Sequence, residues 1–295
     1  MRVETASRAL AADLVELCKP RITLLVTLTA AAGFLLASPE GIDPVRFANA
    51  LVGTALVAAG SAGLNQFVER DSDRRMRRTA HRPLPAGRMS PDGALAWAVL
   101  LATTGLLQLL LLVNALTALI GAATLVAYVL VYTPLKRVSA LATVVGAFPG
   151  AAPPVMGWTA ASGRLELGGW VLFALLFLWQ LPHFLAIAWL YREDYRAAGM
   201  PLLTVNDPDG RRTGRQALLW ATALVPVTLM PSATGMTGWI ALAGALAAGV
   251  WFLAAAARFA RTQSVATARR LLLVSVFYLP AVLGALVVDH LVRWR

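Results

Sequence analysis

The sequence predicts an all-α, polytopic membrane protein of nine transmembrane helices bundled around a central cavity. Two features of composition and one of charge placement carry that prediction. The 295 residues are 58% hydrophobic and only 14% charged, against about 25% charged in a soluble protein. The apolar residues come in long runs rather than amphipathic periods, which excludes a soluble helical repeat. Of the 26 lysines and arginines, 22 fall on alternate loops on one side of the expected spans, the bias that marks a cytoplasmic face. This placement also accounts for the net charge of +11 without a nucleic acid: the basic residues sit in short membrane-flanking loops.

Residues 1–21 form a cytoplasmic lead-in. Leu10, Leu14 and Leu17 share one helical face, and Glu4, Asp13 and Glu16 make the segment unlike a signal peptide. A single cysteine, Cys18, excludes an internal disulfide or a multi-cysteine metal site.

The spans follow at about 22–37, 47–69, 94–113, 115–135, 140–161, 170–191, 215–234, 238–260 and 269–291, each near the roughly 20 residues a bilayer requires. Only Asn114 and its neighbours separate the third from the fourth, which implies a tight antiparallel hairpin. The fifth contains Gly146, Pro149, Gly150, Pro153, Pro154 and Gly157. Such density breaks a helix unless the freed backbone lines a cavity or is buried in protein. With Trp158, Trp179, Phe184 and Trp189 it makes a candidate wall for a flat or isoprenoid ligand; the alternative is helix packing through small residues.

The longest loops, 70–93 and 192–214, lie on the basic side as caps. Each opens with acids, Glu69/Asp71/Asp73 and Glu193/Asp194, which hints at duplication of a four-helix unit with a ninth helix added. The nine-span count places the N-terminus in the cytoplasm and the C-terminus outside. Arg293 and Arg295 run against the bias there.

The stretch from Asn65 to Gly87, NQFVERDSDRRMRRTAHRPLPAG, holds the densest charge. Asn65, Glu69 and Asp73 are spaced i, i+4, i+8 and so share a helical stripe. One amide and two carboxylates can supply oxygen ligands to Mg²⁺, with water and phosphate filling the other positions. The bland alternative is a helix end with surface salt bridges to Arg70, Arg74 and Arg77. Asn65 weighs against it, because an amide inside an apolar span is costly without a partner. Asp71 points about 200° away from Glu69 and reads as a partner for neighbouring arginines. His183 lies well inside the sixth span, just after Pro182. It is either a neutral ring bonded to a carbonyl that the proline frees or a functional group.

These residues resemble the first aspartate-rich motif of the UbiA superfamily of intramembrane prenyltransferases, N-x-x-x-[DE]-x-x-x-D. Arg78-Thr79-Ala80-His81-Arg82-Pro83-Leu84-Pro85-Ala86-Gly87 is similar to its trailing R-T-x-x-R-P-L-P-x-G. Glutamate at position 69 resembles the protohaem IX farnesyltransferase branch. So do Lys19-Pro20-Arg21, Tyr132 to Arg137, Gly146 to Gly163, Trp179 to Phe184 and Glu193 to Leu203. The superfamily's second motif, often D-x-x-x-D, is replaced by Tyr191-Arg192-Glu193-Asp194-Tyr195, leaving Glu193 and Asp194 as the acids for a second metal.

The resemblance implies transfer of a farnesyl group from farnesyl diphosphate to the 2-vinyl group of haem b, with water addition, giving haem O. It implies Mg²⁺ on Glu69 and Asp73 with Asn65 orienting, and Lys136 with Arg78 or Arg82 on the leaving group. Tyr132, Arg137, His183, Glu193 and Asp194 become substrate-binding candidates, with His183 an iron ligand or porphyrin contact. The implied surroundings are the cell inner membrane, with the downstream haem A synthase as a candidate partner. Two alternatives stand beside it: prenylation of an aromatic quinone precursor, and a transporter with charged gates.

Overall fold

In a computed structural model, residues 2–293 are described, with side chains from Leu10 onward. Among them every regular element is helical: α1 (Arg2–Leu17), α2 (Pro20–Leu36), α3 (Pro44–Asp73), α4 (Pro91–Leu112), α5 (Ala115–Val126), a π-helical turn (Ala127–Tyr132), α6 (Thr133–Leu135), α7 (Ala142–Ser162), α8 (Leu167–Leu190), α9 (Arg192–Ala197), α10 (Arg211–Ala233), α11 (Trp239–Thr262) and α12 (Val265–Arg293).

The boundaries follow local chemistry. Pro20, Pro44 and Pro91 open α2, α3 and α4, where a missing N–H costs nothing. Asp43 caps α3 by accepting from Val45 N and Arg46 N, and Ser90 caps α4 through Gly93 N. The hairpin at Asn114 forms: its Oδ1 accepts from Thr117 N at 2.8 Å, and its Nδ2 donates to Thr159 O at 2.9 Å.

Each of the nine expected spans falls on a helix, with ends within four residues. The count of nine is not confirmed. Among the described residues seven helices are long and apolar enough to cross a membrane, or eight if the pair Leu10–Leu17 and Pro20–Leu36, bent by 45°, counts as one span. Ala142–Ser162 is not among them, because glycine, proline, serine and threonine dilute its apolar residues.

Nor do the prolines break that helix. α7 runs unbroken through Pro149, Pro153 and Pro154, buried against α2, α3, α5 and α8. A Cβ at Gly157 would run into the Ala30 carbonyl, and one at Gly33 into the Pro154 carbonyl. The small residues therefore serve close packing of α2 on α7. The four aromatics do not form one wall: Trp158 donates to Glu166 at the far end, Trp189 packs on Phe259, and Trp179 and Phe184 flank His183.

The bundle closes as a ring. α3 lies along α4, α2 sits between α3 and α7, α8 meets α7, α10 and α12, and α12 returns to α2. The lead-in α1 packs through Leu17 against Leu84, Met89 and Ala94, with Leu14 at the rim; Leu10 is exposed. A cavity of ≈620 Å³ opens at the face away from loops 70–93 and 192–214, between Pro39, Trp158, Glu166 and His290. On that face Arg293 donates to the carbonyls of Gly235 and Thr237, which accounts for a cation on the side poor in them. Arg295 lies outside the described residues.

Loop 192–214 ends in a capped turn. Asp207 Oδ2 accepts from Thr213 N and Thr213 Oγ1, both at 2.7 Å. Burial opposes the Asp207 charge, yet the Thr213 hydrogen bonds hold its carboxyl below the usual carboxylate range. A depressed folded pKa means stability that is present above the unfolded value of about 4 and is lost as pH falls through the folded value. Thermal unfolding at pH 6 and pH 3 should therefore show Asp207→Asn costing more stability at pH 6 than at pH 3. An equal cost at both would show that the charge contributes nothing.

Candidate active site

The last turns of α3 carry Asn65, Glu69 and Asp73 inward, and all three are buried. Each meets a basic side chain from elsewhere. Lys19 Nζ donates to Asn65 Oδ1 at 3.0 Å, Lys136 Nζ to Glu69 Oε1 at 2.9 Å, and Arg82 NH1 to Asp73 Oδ2 at 2.7 Å. Asn65 Nδ2 donates to Thr133 Oγ1 at 3.1 Å, and Thr133 Oγ1 donates to Tyr128 O at 2.8 Å. An amide, two carboxylates and three basic side chains from four parts of the chain thus converge at one end of the bundle.

Backbone irregularities place these groups. Lys19 adopts φ 47°, ψ 62°, a left-handed conformation unusual for a residue with a side chain. It makes the bend between α1 and α2 and turns Nζ toward α3. Gln66 Nε2 donates to Leu17 O at 2.6 Å and ties that bend down. Ahead of α6 the chain widens into the π turn, where Pro134 has no N–H to give. The turn brings the Tyr132 ring beneath Lys136 Nζ, 4.5 Å from the centroid. Burial opposes the Lys136 charge, yet Tyr132 and the Glu69 carboxylate hold its pKa well above the usual lysine value.

The loop after α3 folds back over its own helix. Thr79 Oγ1 donates to Asp73 O at 2.9 Å. Arg88 clamps the loop to α1 by donating to Asp13, Glu16 and the His81 carbonyl. Arg78 joins the two cap loops: its N donates to Asp194 Oδ2 at 3.2 Å, its NH2 donates to Tyr195 Oη at 3.1 Å, and its guanidinium covers the Tyr191 and Tyr195 rings. Met76, Ala188, Met200 and Leu202 pack beneath that junction.

The structure gathers Asn65, Glu69, Asp73, Arg82, Lys136 and Tyr132. Arg78 and Asp194 stand at the cap junction, and Arg137 donates to Val68 O at 2.7 Å on the surface. Glu193 is exposed and pairs with Arg192 and Arg196. Asp71 is exposed as its direction implied, but it forms no ion pair among the described residues; Arg70 and Arg74 donate to backbone carbonyls instead. His183 lines a second, smaller groove of ≈290 Å³ with Arg21, Leu24, Leu25, Leu28, Trp179, Val276, Leu279 and Pro280. Its partner is the side chain of Ser275, at 2.7 Å, rather than a carbonyl that Pro182 frees. Lys19 and Thr133 lie in the stretches Lys19–Arg21 and Tyr132–Arg137 and join the site without having been expected there. The available signal was a lysine directly before a helix-opening proline.

The donor set fits a small hard cation. Glu69, Asp73 and Asn65 offer oxygen, which Mg²⁺ prefers. Asp73 Oδ1 is buried with no hydrogen-bond partner. Arg78 Nε is also buried and unpartnered, a donor suited to a phosphate oxygen.

A helical membrane bundle with this polar end has close structural counterparts. A solved digeranylgeranylglyceryl phosphate synthase superposes with TM-score 0.80 at 18% identity, over 95% of this chain and 98% of that one. A UbiA homologue from Archaeoglobus fulgidus, bound to GPP and Mg²⁺, superposes with TM-score 0.64 at 15% identity, over 93% and 99%. These likenesses define a UbiA-type fold. The profile of the UbiA prenyltransferase family matches residues 26–281. Protoheme IX farnesyltransferase of Solibacter usitatus is 47% identical, over 94% of this chain and 98% of its own. That of Opitutus terrae is 43% identical, over 99% of each. The chain belongs to the UbiA prenyltransferase family and, within it, to the protoheme IX farnesyltransferases: it is a multi-pass membrane enzyme.

Proposed function

We propose that this chain transfers the farnesyl group of farnesyl diphosphate to the 2-vinyl group of haem b, with addition of water, to give haem O and diphosphate. The observation that carries it is the buried Asn65–Glu69–Asp73 stripe matched by Lys19, Lys136 and Arg82, in a chain of this family. The carboxylates are neutralised by their own cations. When a diphosphate enters, Lys136 and Arg82 turn to its oxygens and free Glu69 and Asp73, while Asn65 orients the pair and Arg78 Nε meets a further oxygen. Mg²⁺ held by Glu69 and Asp73 would draw charge from the diphosphate as it leaves.

The allylic C–O bond breaks and its electron pair leaves with diphosphate, where the Lys136 and Arg82 charges stabilise it. The vinyl π pair then bonds farnesyl C1. Water adds to the carbocation beside the porphyrin ring and gives up a proton. The burial of Asn65, Glu69 and Asp73 favours keeping water from the farnesyl cation before that step. The cap loops 70–93 and 192–214 close one transmembrane domain on the cytoplasmic side of the inner membrane, with the N-terminus inside. This sidedness rests on the Lys/Arg bias. Haem O then passes to haem A synthase, whose substrate it is.

Membranes containing this chain, incubated with farnesyl diphosphate, Mg²⁺ and either haem b or 4-hydroxybenzoate, test the reading by mass spectrometry. Haem O should form, prenylated benzoate should not, and a magnesium chelator should stop the reaction. Uptake of farnesyl by 4-hydroxybenzoate alone would overturn the assignment of the acceptor.

A further inference from the structure

Ser275 lies fully buried on α12. Its Oγ is 2.6 Å from the Leu272 carbonyl oxygen and 2.7 Å from His183 Nδ1. A serine hydroxyl has one proton to give, and a carbonyl oxygen only accepts. The proton therefore goes to Leu272, and His183 Nδ1 must be the donor in the second bond. The lone pair of the neutral ring then sits on Nε2.

Trp179 locks this arrangement. Its ring lies against the imidazole, with centroids 5.1 Å apart and planes 23° apart. Its Nε1 donates to Ser275 O at 2.8 Å. Indole, imidazole and serine thus form one unit across α8 and α12. His183 lines the groove, and its Nε2 makes no hydrogen bond among the described residues. The groove walls are Leu24, Leu25 and Leu28 on one side and Val276 and Leu279 on the other. Nothing polar in these walls answers the lone pair. A histidine whose other N–H is tied to an oxygen is how proteins prepare a metal ligand. Arg21 lines the same groove, is exposed, and forms no ion pair among the described residues. It offers a guanidinium for a ligand carboxylate.

Resting on the function proposed above, we propose that this groove takes an iron porphyrin through His183 Nε2. Ser275 is the positioning residue that fixes the tautomer, and Arg21 meets a propionate. The farnesyl donor and the acceptor then enter beside the same helix end, because Lys19 and Arg21 are two residues apart.

The test compares haem b with metal-free protoporphyrin IX, titrated into the full chain in lipid nanodiscs. The wild type should bind haem b at least about tenfold more tightly. His183→Ala should abolish that preference. Ser275→Ala should reduce it about tenfold, the usual cost of losing the group that orients a metal ligand, and Ser275→Thr should restore it. Electron paramagnetic resonance of the ferric complex should show an imidazole nitrogen on iron in the wild type and none in His183→Ala. Farnesyl diphosphate affinity, unchanged across the set, verifies the fold. Equal binding of the two porphyrins by the wild type, or an unaltered iron signal in His183→Ala, overturns the iron ligand. An unchanged preference in Ser275→Ala overturns the positioning role. Haem O formation by the wild type is assayed in parallel: its presence alongside either result leaves the proposed function standing, and its absence removes both.

Discussion

Asp73→Asn should lower kcat/KM for farnesyl transfer about 10³-fold, or ~4 kcal/mol of transition-state stabilisation. The substitution keeps the shape of the side chain and changes only its charge and one donor. Asp73 Oδ2 holds Arg82, and Oδ1 is buried and bare. An amide has two ways to sit there, and both fail. With its NH2 toward Arg82, two donors face each other. With its NH2 toward the bare position, a donor points where a cation would bind. Initial rates with haem b, farnesyl diphosphate and Mg²⁺ measure the effect. Asp71→Asn, two residues away and exposed, should stay within about twofold, since exposed charges of this kind contribute little. An Asp73→Asn rate within about tenfold of wild type, well short of the loss expected when a key electrostatic group is removed, would take Asp73 out of the site.

Gly157→Val should be the most damaging single packing change, costing at least about 3 kcal/mol. The obstacle is backbone: the Ala30 carbonyl and the Phe34 amide nitrogen of α2. No rotamer of a neighbour relieves it, so α2 must move away from α7. α2 follows directly on Lys19 and carries Arg21, so activity falls together with stability. The thermal midpoint in detergent should drop by roughly 5–10 °C. Gly284→Ala is the matched control, because no atom lies within 4 Å of its added Cβ. It should leave the midpoint unchanged or raise it slightly, as replacing a helical glycine does. A Gly157→Val midpoint equal to that of Gly284→Ala would mean that the contact is loose in the membrane.

The helices were legible because a bilayer imposes length and apolarity on each one separately, and those are local properties. The stripe Asn65–Glu69–Asp73 was legible for a similar reason: its spacing lies within one helix. Its partners were less so. Lys19 reaches Asn65 across 46 residues and Thr133 reaches it across 68. No periodicity carries such a pairing. Prolines in α7 left two readings open, a cavity wall or close packing, because their cost depends on what surrounds them, and burial against four helices is not written in one dimension. Glu193 is a candidate acid by its place after a span; at the start of α9 it is exposed and pairs with Arg192 and Arg196. The geometry of Asp71 was read correctly and its partners were not: direction follows from helical pitch, whereas a partner depends on where a flexible arginine finds a better acceptor.

The groove beside His183 is walled by Leu24, Leu28 and Val276, each about half exposed on the outside of the bundle. In a membrane those side chains face lipid, so the groove opens sideways into the bilayer rather than upward into water. An amphiphile reaching it travels in two dimensions. The concentration that matters is then its mole fraction among the lipids. Adding inert lipid or detergent at fixed bulk substrate should slow the reaction by surface dilution, and rate curves should superpose only when plotted against mole fraction.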